Sequence, residues 1–276
     1  VPELPEVETI RRQLAPVTEG RTITAVRVSD PRWCQPLTVD EMSARLRGRR
    51  IDSFERRGKF MVLRLDDGVL LVMHLRMTGN LLYVPVGLRV PRGHLRASLE
   101  LDDGAHLAFV DPRRFGTAAI HPDQDSLDRY FAGRVGIEPL ESQFTPELLF
   151  DASRGRRTPV KAFLLDQRKV AGIGNIYADE ALHRAAISPR MRTARMSRAQ
   201  AKALHDAIRE ALRDGIDAKG ASIDDFRDAY GVRGSFQDRF LVHRREGLPC
   251  PGCGAPVKKI RVAGRGTYYC PACQRS

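Results

Sequence analysis

Four cysteines near the end of the chain constrain its folding more than any other feature. They stand as Cys250-Pro251-Gly252-Cys253 and Cys270-Pro271-Ala272-Cys273, two C-x2-C pairs separated by sixteen residues. Each short loop lets two thiolates face one ion, and a hairpin between the pairs closes a tetrahedron. Gly252 and Gly254 permit the tight turn this requires. One structural Zn2+ is therefore expected on Cys250, Cys253, Cys270 and Cys273. Such a closed site folds the hairpin and carries no chemistry of its own. Two disulfides are the competing arrangement, and they belong to exported chains. The opening Val1-Pro2-Glu3-Leu4-Pro5-Glu6 is acidic, with no apolar segment that reads as a secretory signal, and Cys34 leaves an odd cysteine. Both features favour the metal, and Cys34 reads as a buried or incidental thiol.

A hairpin of this size accounts for little of a 276-residue chain. The length suits one large domain or two medium ones. No apolar run approaches the roughly 18 residues of a membrane helix, so no membrane partner is expected. The formal net charge is +12, with 39 arginines and 7 lysines. An arginine excess can follow from a GC-rich genome, but a strongly basic chain also suits a polyanion, most commonly nucleic acid. Residues 45–64 carry a net +6 and residues 227–276 a net +7. Charge alone does not separate a DNA enzyme from a DNA-binding module or an RNA binder.

Periodicity divides the chain near residues 135–145. Before it, alternation marks strands at Ile23 to Val28, Lys59 to Leu65, Val69 to Leu75, Arg96 to Leu101 and His106 to Val110. Asp66-Asp67-Gly68 and Asp102-Asp103-Gly104 read as hairpin turns. Helical spacing of Val7, Ile10, Leu14 and Val17 predicts a helix over Glu6 to Val17, and Thr38 to Glu41 reads as a capping box opening a second helix to Leu46. After the boundary, Thr158-Pro159 opens a helix expected to reach about Val170, and Gly172-Ile173-Gly174-Asn175 breaks before another ending near Ala186. Ser197 to Gln200 caps a long helix to about Arg213.

Several blocks together resemble the bacterial formamidopyrimidine-DNA glycosylases. They are Pro2-Glu3-Leu4-Pro5-Glu6-Val7-Glu8-Thr9, Arg57-Gly58-Lys59-Phe60, His74-Leu75-Arg76-Met77-Thr78-Gly79, Asp111-Pro112-Arg113-Arg114-Phe115-Gly116 and Gly172 to Glu180, followed by the four cysteines. The blocks keep the family's order and span essentially the whole chain. The resemblance implies an α+β protein: an N-terminal β-sandwich flanked by helices (1–135), a helix-two-turn-helix domain (141–230) and a four-cysteine zinc-finger β-hairpin (240–276), with DNA in the cleft between. It implies a monomeric, cytoplasmic, nucleoid-associated bacterial repair enzyme. That enzyme excises 8-oxoguanine and formamidopyrimidines from damaged double-stranded DNA, then cuts the strand by β,δ-elimination.

The residue types suit that chemistry. A proline amine is a secondary amine, and a terminal amine with a pKa of roughly 8 keeps a neutral fraction near pH 7. On the family pattern Pro2 is the Schiff-base nucleophile, Glu3 the proton donor and acceptor, and Glu6 a second carboxylate that positions the terminus. Lys59 is the only lysine in the first 160 residues, and it corresponds to the β-elimination proton donor or a base or phosphate contact. Arg265 corresponds to the δ-elimination proton donor or a phosphate contact. Met77, Arg113 and Phe115 match the residues that enter the duplex when the base is flipped; either apolar one alone would read as core. His74, Lys161 and Asn175 match backbone contacts. Tyr230 to Phe236 falls where the family has a lesion-capping loop.

Two departures stand out. Val1 precedes Pro2, and an acylated proline nitrogen has no nucleophilic lone pair. Val1 is expected to be a literal translation of an alternative start codon, removed in the cell. An apolar-Tyr-Gly pattern is replaced by Val242-His243-Arg244. Other readings are an endonuclease-eight-like enzyme for oxidised pyrimidines and a catalytically silent lesion binder. A zinc-ribbon transcription factor or RNA binder would leave the N-terminal block unexplained.

Overall fold

The computed structural model describes residues 2–155 and 157–275; the expectation about Val1 lies outside them. The chain forms two units. The first runs to Ala132 and adds Ala218–Ser235; the second holds Gly133–Asp217 and the chain from Phe236 onward. Residues 218–230, placed by the sequence in the helical domain, thus pack with the first unit.

The first unit contains α1 (Leu4–Thr18), α2 (Val39–Leu46) and α3 (Gln124–Phe131). Its strands are β1 (Ile23–Val28), β2 (Ile51–Arg57), β3 (Phe60–Leu65), β4 (Leu70–His74), β5 (Asn80–Val84), β6 (Leu95–Leu101), β7 (His106–Val110) and β8 (Thr117–His121). They make two antiparallel four-stranded sheets, ordered β1-β6-β7-β5 and β2-β3-β4-β8. One core joins them: Ile23, Leu99 and Phe109 from the first sheet pack with Phe54, Leu63 and Met73 from the second. Val7, Ile10 and Leu14 of α1 enter the same core at helical spacing. The Thr38 capping box forms as expected, with Thr38 N–H donating to Glu41 Oε2 at 2.8 Å.

The second unit contains α4 (Pro146–Ser153), α5 (Val160–Leu165), α6 (Asn175–Arg184) and α7 (Arg198–Asp217), then the hairpin β9 (Lys258–Val262) and β10 (Arg265–Tyr269). The helix expected to reach Val170 stops at Leu165. Asp166 Oδ1 accepts the Arg168 N–H at 3.1 Å, starting a turn, and Val170 instead bridges Ile137. α7 runs a turn beyond Arg213. Its Gly215 is required by packing, since a Cβ there would lie 2.5 Å from the Tyr177 ring.

Candidate active site

The N-terminal block is buried at the first turn of α1. Pro2 is buried, and Glu3 and Glu6 are 2% and 1% exposed. Glu3 is the N-cap and forms a reciprocal capping box with Glu6, its own N–H donating to Glu6 Oε2 at 2.8 Å. The other oxygen of Glu6 accepts the Ala221 N–H at 2.7 Å. Gly220, at φ +81°, has no room for a side chain: a Cβ would come within 2.9 Å of Glu6 Cγ and Oε1. Glu6 therefore fastens the Pro2-Glu3 terminus to the backbone at Ala221, as a positioning carboxylate.

Behind this turn lies Glu8, which the sequence reading passed over. Burial pushes its carboxyl up, but hydrogen bonds from Arg11 and Arg12 and the charges of Arg11 and Arg56 outweigh that and hold it low. Arg56 joins Glu8 at 3.1 Å and also donates to Gly58 O at 3.0 Å. That pair braces the β2–β3 turn, where Gly58 sits at φ +57° and Lys59 follows, half-buried.

His74 ends β4, its ring edge-on to Phe60 at 4.5 Å. Burial, then the charges of Arg76 and Lys59, push its pKa down to about 3. The ring is neutral at physiological pH, and Nδ1 accepts the Arg76 N–H at 2.9 Å. Nε2 consequently carries the proton and is a donor. The unfolded imidazole gains a proton below its ordinary 6.5, whereas the folded one resists down to about 3. Stability from this group is full above pH 6.5 and falls as pH drops, by up to about 1.4 kcal/mol per pH unit. His74→Asn should flatten that acid limb in denaturant melts between about pH 6 and about pH 4.

Asp111, fully buried, organises the loops that carry Met77, Arg113 and Phe115. Its Oδ1 accepts the Thr78 hydroxyl and, at 3.1 Å, the Arg113 N–H. Its Oδ2 accepts the Phe115 and Gly116 N–H groups at 2.8 and 2.7 Å. One carboxylate thus holds the 75–79 and 111–116 loops in fixed conformations. Met77 and Phe115 are left 37% and 49% exposed, so neither is core. The Arg113 guanidinium lies over the Phe115 ring at 4.8 Å. Asp30 holds the neighbouring Arg114 at 2.7 Å.

Asn175 stands at the N-terminus of α6. Gln167 folds the preceding turn by donating to Ile173 O at 2.7 Å and accepting the Gly172 N–H at 3.0 Å. Asn175 Nδ2 donates to Gly266 O at 3.0 Å. Lys161, expected to grip a phosphate, is instead 0% exposed. Its ammonium donates to Asp179 Oδ1, Thr267 Oγ1 and Gly266 O at 2.7, 2.8 and 3.0 Å. The reason is Asp179, a buried carboxylate that needs a cation. Lys161 therefore positions β10, whose first residue, Arg265, remains exposed.

The His243 departure belongs to the same network. Its Nδ1 donates to Asp179 Oδ2 at 2.9 Å, and its ring meets Tyr268 edge-on at 5.0 Å. Glu180 accepts the backbone N–H groups of Leu241, Val242 and His243 at 2.9, 3.0 and 2.9 Å. Burial raises its pKa against those bonds. The segment expected to cap the lesion runs from Tyr230 to Phe236. Tyr230 and Val232 are exposed, but Phe236 is buried and stacks on Tyr177 at 5.0 Å.

The four cysteine sulfurs lie within 4.8 Å of one another, with Cys250–Cys273 at 3.9 Å and Cys253–Cys270 at 3.5 Å. Tetrahedral zinc thiolates sit about 3.8 Å apart, so the set fits one Zn2+. His183 of α6, absent from the sequence reading, places Nε2 3.3 Å from Cys250 Sγ. Cys34 is buried, its thiol near Pro31 O and Leu37 O at 3.4 and 3.5 Å, and burial raises its pKa. It is a structural thiol.

Three family descriptions match along the chain. They are the formamidopyrimidine-DNA glycosylase N-terminal domain over residues 1–118, the H2TH domain of the same enzymes over 135–227, and the zinc finger found in FPG and IleRS over 247–275. A formamidopyrimidine-DNA glycosylase of Desulforamulus reducens is 43% identical, with all of both chains covered. Among solved structures, a Lactococcus lactis FPG variant in complex with Fapy-dG-containing DNA superposes at TM-score 0.92, with 34% identity and full coverage of both chains. The wild-type Lactococcus lactis protein with oxidised-pyrimidine-containing DNA gives 0.91 and 33%, again covering both chains fully.

Proposed function

Because this chain belongs to the formamidopyrimidine-DNA glycosylase family, we propose that Pro2 supplies the amine for its chemistry. The protein is a bifunctional DNA glycosylase and abasic-site lyase of base-excision repair, acting on oxidised purines. The buried Pro2-Glu3 turn, fastened by Glu6 to Ala221, is the observation that carries the assignment.

The Pro2 nitrogen attacks C1′ of the flipped nucleotide and the glycosidic bond breaks, releasing the base. Glu3 protonates the ribose ring oxygen, the ring opens, and an iminium forms. Its positive charge acidifies the C2′ proton. Loss of that proton expels the 3′ phosphate, and a second elimination expels the 5′ phosphate. Lys59 and Arg265 protonate or hold the departing phosphates. His74 Nε2–H and Asn175 grip the backbone, the latter at a helix N-terminus that favours anions. Met77 and Phe115 fill the gap left by the flipped base, while Arg113 hydrogen-bonds the widowed cytosine. Lys161 acts through Gly266 and Thr267, behind Arg265.

Borohydride trapping on a duplex carrying 8-oxoguanine opposite cytosine tests this. An adduct that maps to the Pro2 peptide, with phosphates at both gap ends, supports the assignment. An adduct on Lys59 moves the nucleophile, and binding without cleavage indicates a silent scaffold. Preferred cleavage of an oxidised pyrimidine favours the sister specificity. We further propose a monomer acting on nucleoid DNA in the bacterial cytoplasm. Among the described residues no helix is long and apolar enough to cross a membrane.

The Zn2+ fixes the β9–β10 hairpin that carries Arg265. With zinc bound, Cys250 is a thiolate acceptor, so His183 Nε2 donates to it. Outer-shell partners of this kind influence metal affinity by about 10–100-fold. His183→Phe should therefore release zinc to a chromogenic chelator about tenfold faster than the parent, and His183→Gln should restore most of the difference.

A further inference from the structure

Arginines that hold no carboxylate gather on the helical unit, away from the Asn175 turn. Residues 157–160 and 191–193 run side by side: Val160 N–H donates to Met191 O at 2.8 Å and Thr193 N–H to Thr158 O at 3.0 Å. Arg154 and Arg157 flank the first segment; Arg190, Arg192, Arg195 and Arg198 follow along the second. All six are exposed. There is no acidic residue between Asp151 and Asp166, nor from 186 to 199.

Composition alone would not make this meaningful, since arginine is abundant throughout. What sets the cluster apart is that both of its adjoining segments lack any carboxylate of their own. Elsewhere Arg11 holds Glu8, Arg64 holds Glu55, and Arg184 holds Glu210 and Asp214. Among the described residues none of the six is in an ion pair with a carboxylate. Three are ordered without one: the Arg154 and Arg198 guanidiniums lie over the Phe150 ring at 5.1 and 4.5 Å, and Arg192 donates to Arg157 O at 2.5 Å. That ring draws the start of one segment and the end of the other together. Like charges held this close repel unless an anion offsets them.

The position of the cluster matters. α5 begins beside it at Val160 and ends before the Gly172–Asn175 turn; α6 runs from Asn175 to Arg184, and the second arginine segment follows. At 1.5 Å per residue α6 is about 15 Å long. The cluster thus lies at the far end of these helices from Asn175. We propose that these six arginines form a second DNA-backbone contact, gripping undamaged duplex beyond the segment that holds the lesion. Guanidinium forks suit phosphate oxygens, and the contact carries no sequence information. The assignment rests on the DNA-repair reading above.

The test uses the triple variant Arg157→Gln, Arg190→Gln and Arg195→Gln, whose side chains make no hydrogen bond among the described residues. Unchanged melting temperature and zinc content confirm its fold. Each lost phosphate contact lowers the slope of log K against log salt by about 0.9. On an undamaged duplex of about four helical turns the slope should fall by about 2 to 3, with affinity at least about tenfold weaker. On a duplex of about one turn centred on 8-oxoguanine, binding and excision should stay within about twofold of the parent.

An equal loss on the short duplex would place these arginines in the lesion grip and overturn the proposal. Unchanged slopes on both duplexes would overturn it as a merely solvated face. Unchanged DNA binding with lost binding to poly-glutamate would overturn it in favour of an acidic protein partner. Failure of the parent protein to excise 8-oxoguanine from the short duplex strikes the repair reading instead, independently of the patch.

Discussion

Protein that retains Val1 is expected to cut neither an 8-oxoguanine strand nor an abasic one, and to yield no borohydride adduct at residue 2. A peptide bond from Val1 turns the Pro2 nitrogen into a tertiary amide, whose lone pair is delocalised into the carbonyl. It can neither attack C1′ nor form an iminium. Loss of a covalent nucleophile removes the whole pathway, so both rates should fall by at least about 10³-fold. DNA affinity should change little, because the backbone contacts lie on other residues. Glu3→Gln separates the two functions of the turn: it keeps an N-capping side chain and the Pro2 amine but loses the proton donor. Excision should fall by about 10² to 10⁴-fold while the trapped adduct remains detectable on abasic DNA. Intact-mass measurement of the native protein should find Pro2 first. Full activity in protein shown to carry Val1 sinks the Pro2 assignment.

Asp111→Ala is expected to cost about 3–5 kcal/mol of stability and about 10²-fold in base excision. The carboxylate receives one hydroxyl and three backbone N–H groups. Bonds to charged acceptors contribute about 1.5–3 kcal/mol each, non-additively, and orphaned buried donors carry a further penalty. Asp111→Asn is no rescue, since its amide turns N–H groups toward N–H groups. The expected consequence is displacement of Met77, Arg113 and Phe115, the residues proposed to enter the stack as the base leaves it. A preformed abasic site has no base to extrude, so its cleavage should fall by less than about tenfold. Thermal melts report the first effect and paired gel assays the second. An equal loss on both substrates would reduce Asp111 to a fold-stabilising role.

The residues proposed for the chemistry are legible in the sequence because they sit in contiguous blocks. The Pro2 to Thr9 block puts the proposed reacting groups, Pro2 and Glu3, side by side ahead of α1, and the two C-x2-C pairs announce their ion by spacing alone. The positioning residues were harder to see. Asp111 lies inside a recognised block, yet nothing in Asp-Pro-Arg-Arg-Phe-Gly says that its carboxylate accepts from both the 78 and the 113–116 segments. Lys161 was misread for the same reason: a motif match gives residue identity, whereas burial depends on Asp179 and Thr267, distant in sequence. The His243 departure likewise has its reason in Asp179, the distant carboxylate its ring donates to. Among the elements, β2, β5 and β8 were missed because their alternation is weak or short, as in Thr117–His121 with two adjacent alanines. The helix ending at Leu165 reads as continuing because no proline or glycine interrupts the run before Gly172. The Asp166–Arg168 pair ends it.

The tie between Glu6 and Ala221 spans 215 positions, which sets an order of events on the ribosome. At about 5–20 residues per second, the partner of Glu6 emerges about 10–40 s after the amino terminus. For that interval the nascent end lacks its anchor and stays open to an aminopeptidase. If Val1 is removed as expected, trimming ahead of Pro2 is therefore a step for the growing chain, before the backbone at Ala221 fastens Glu6.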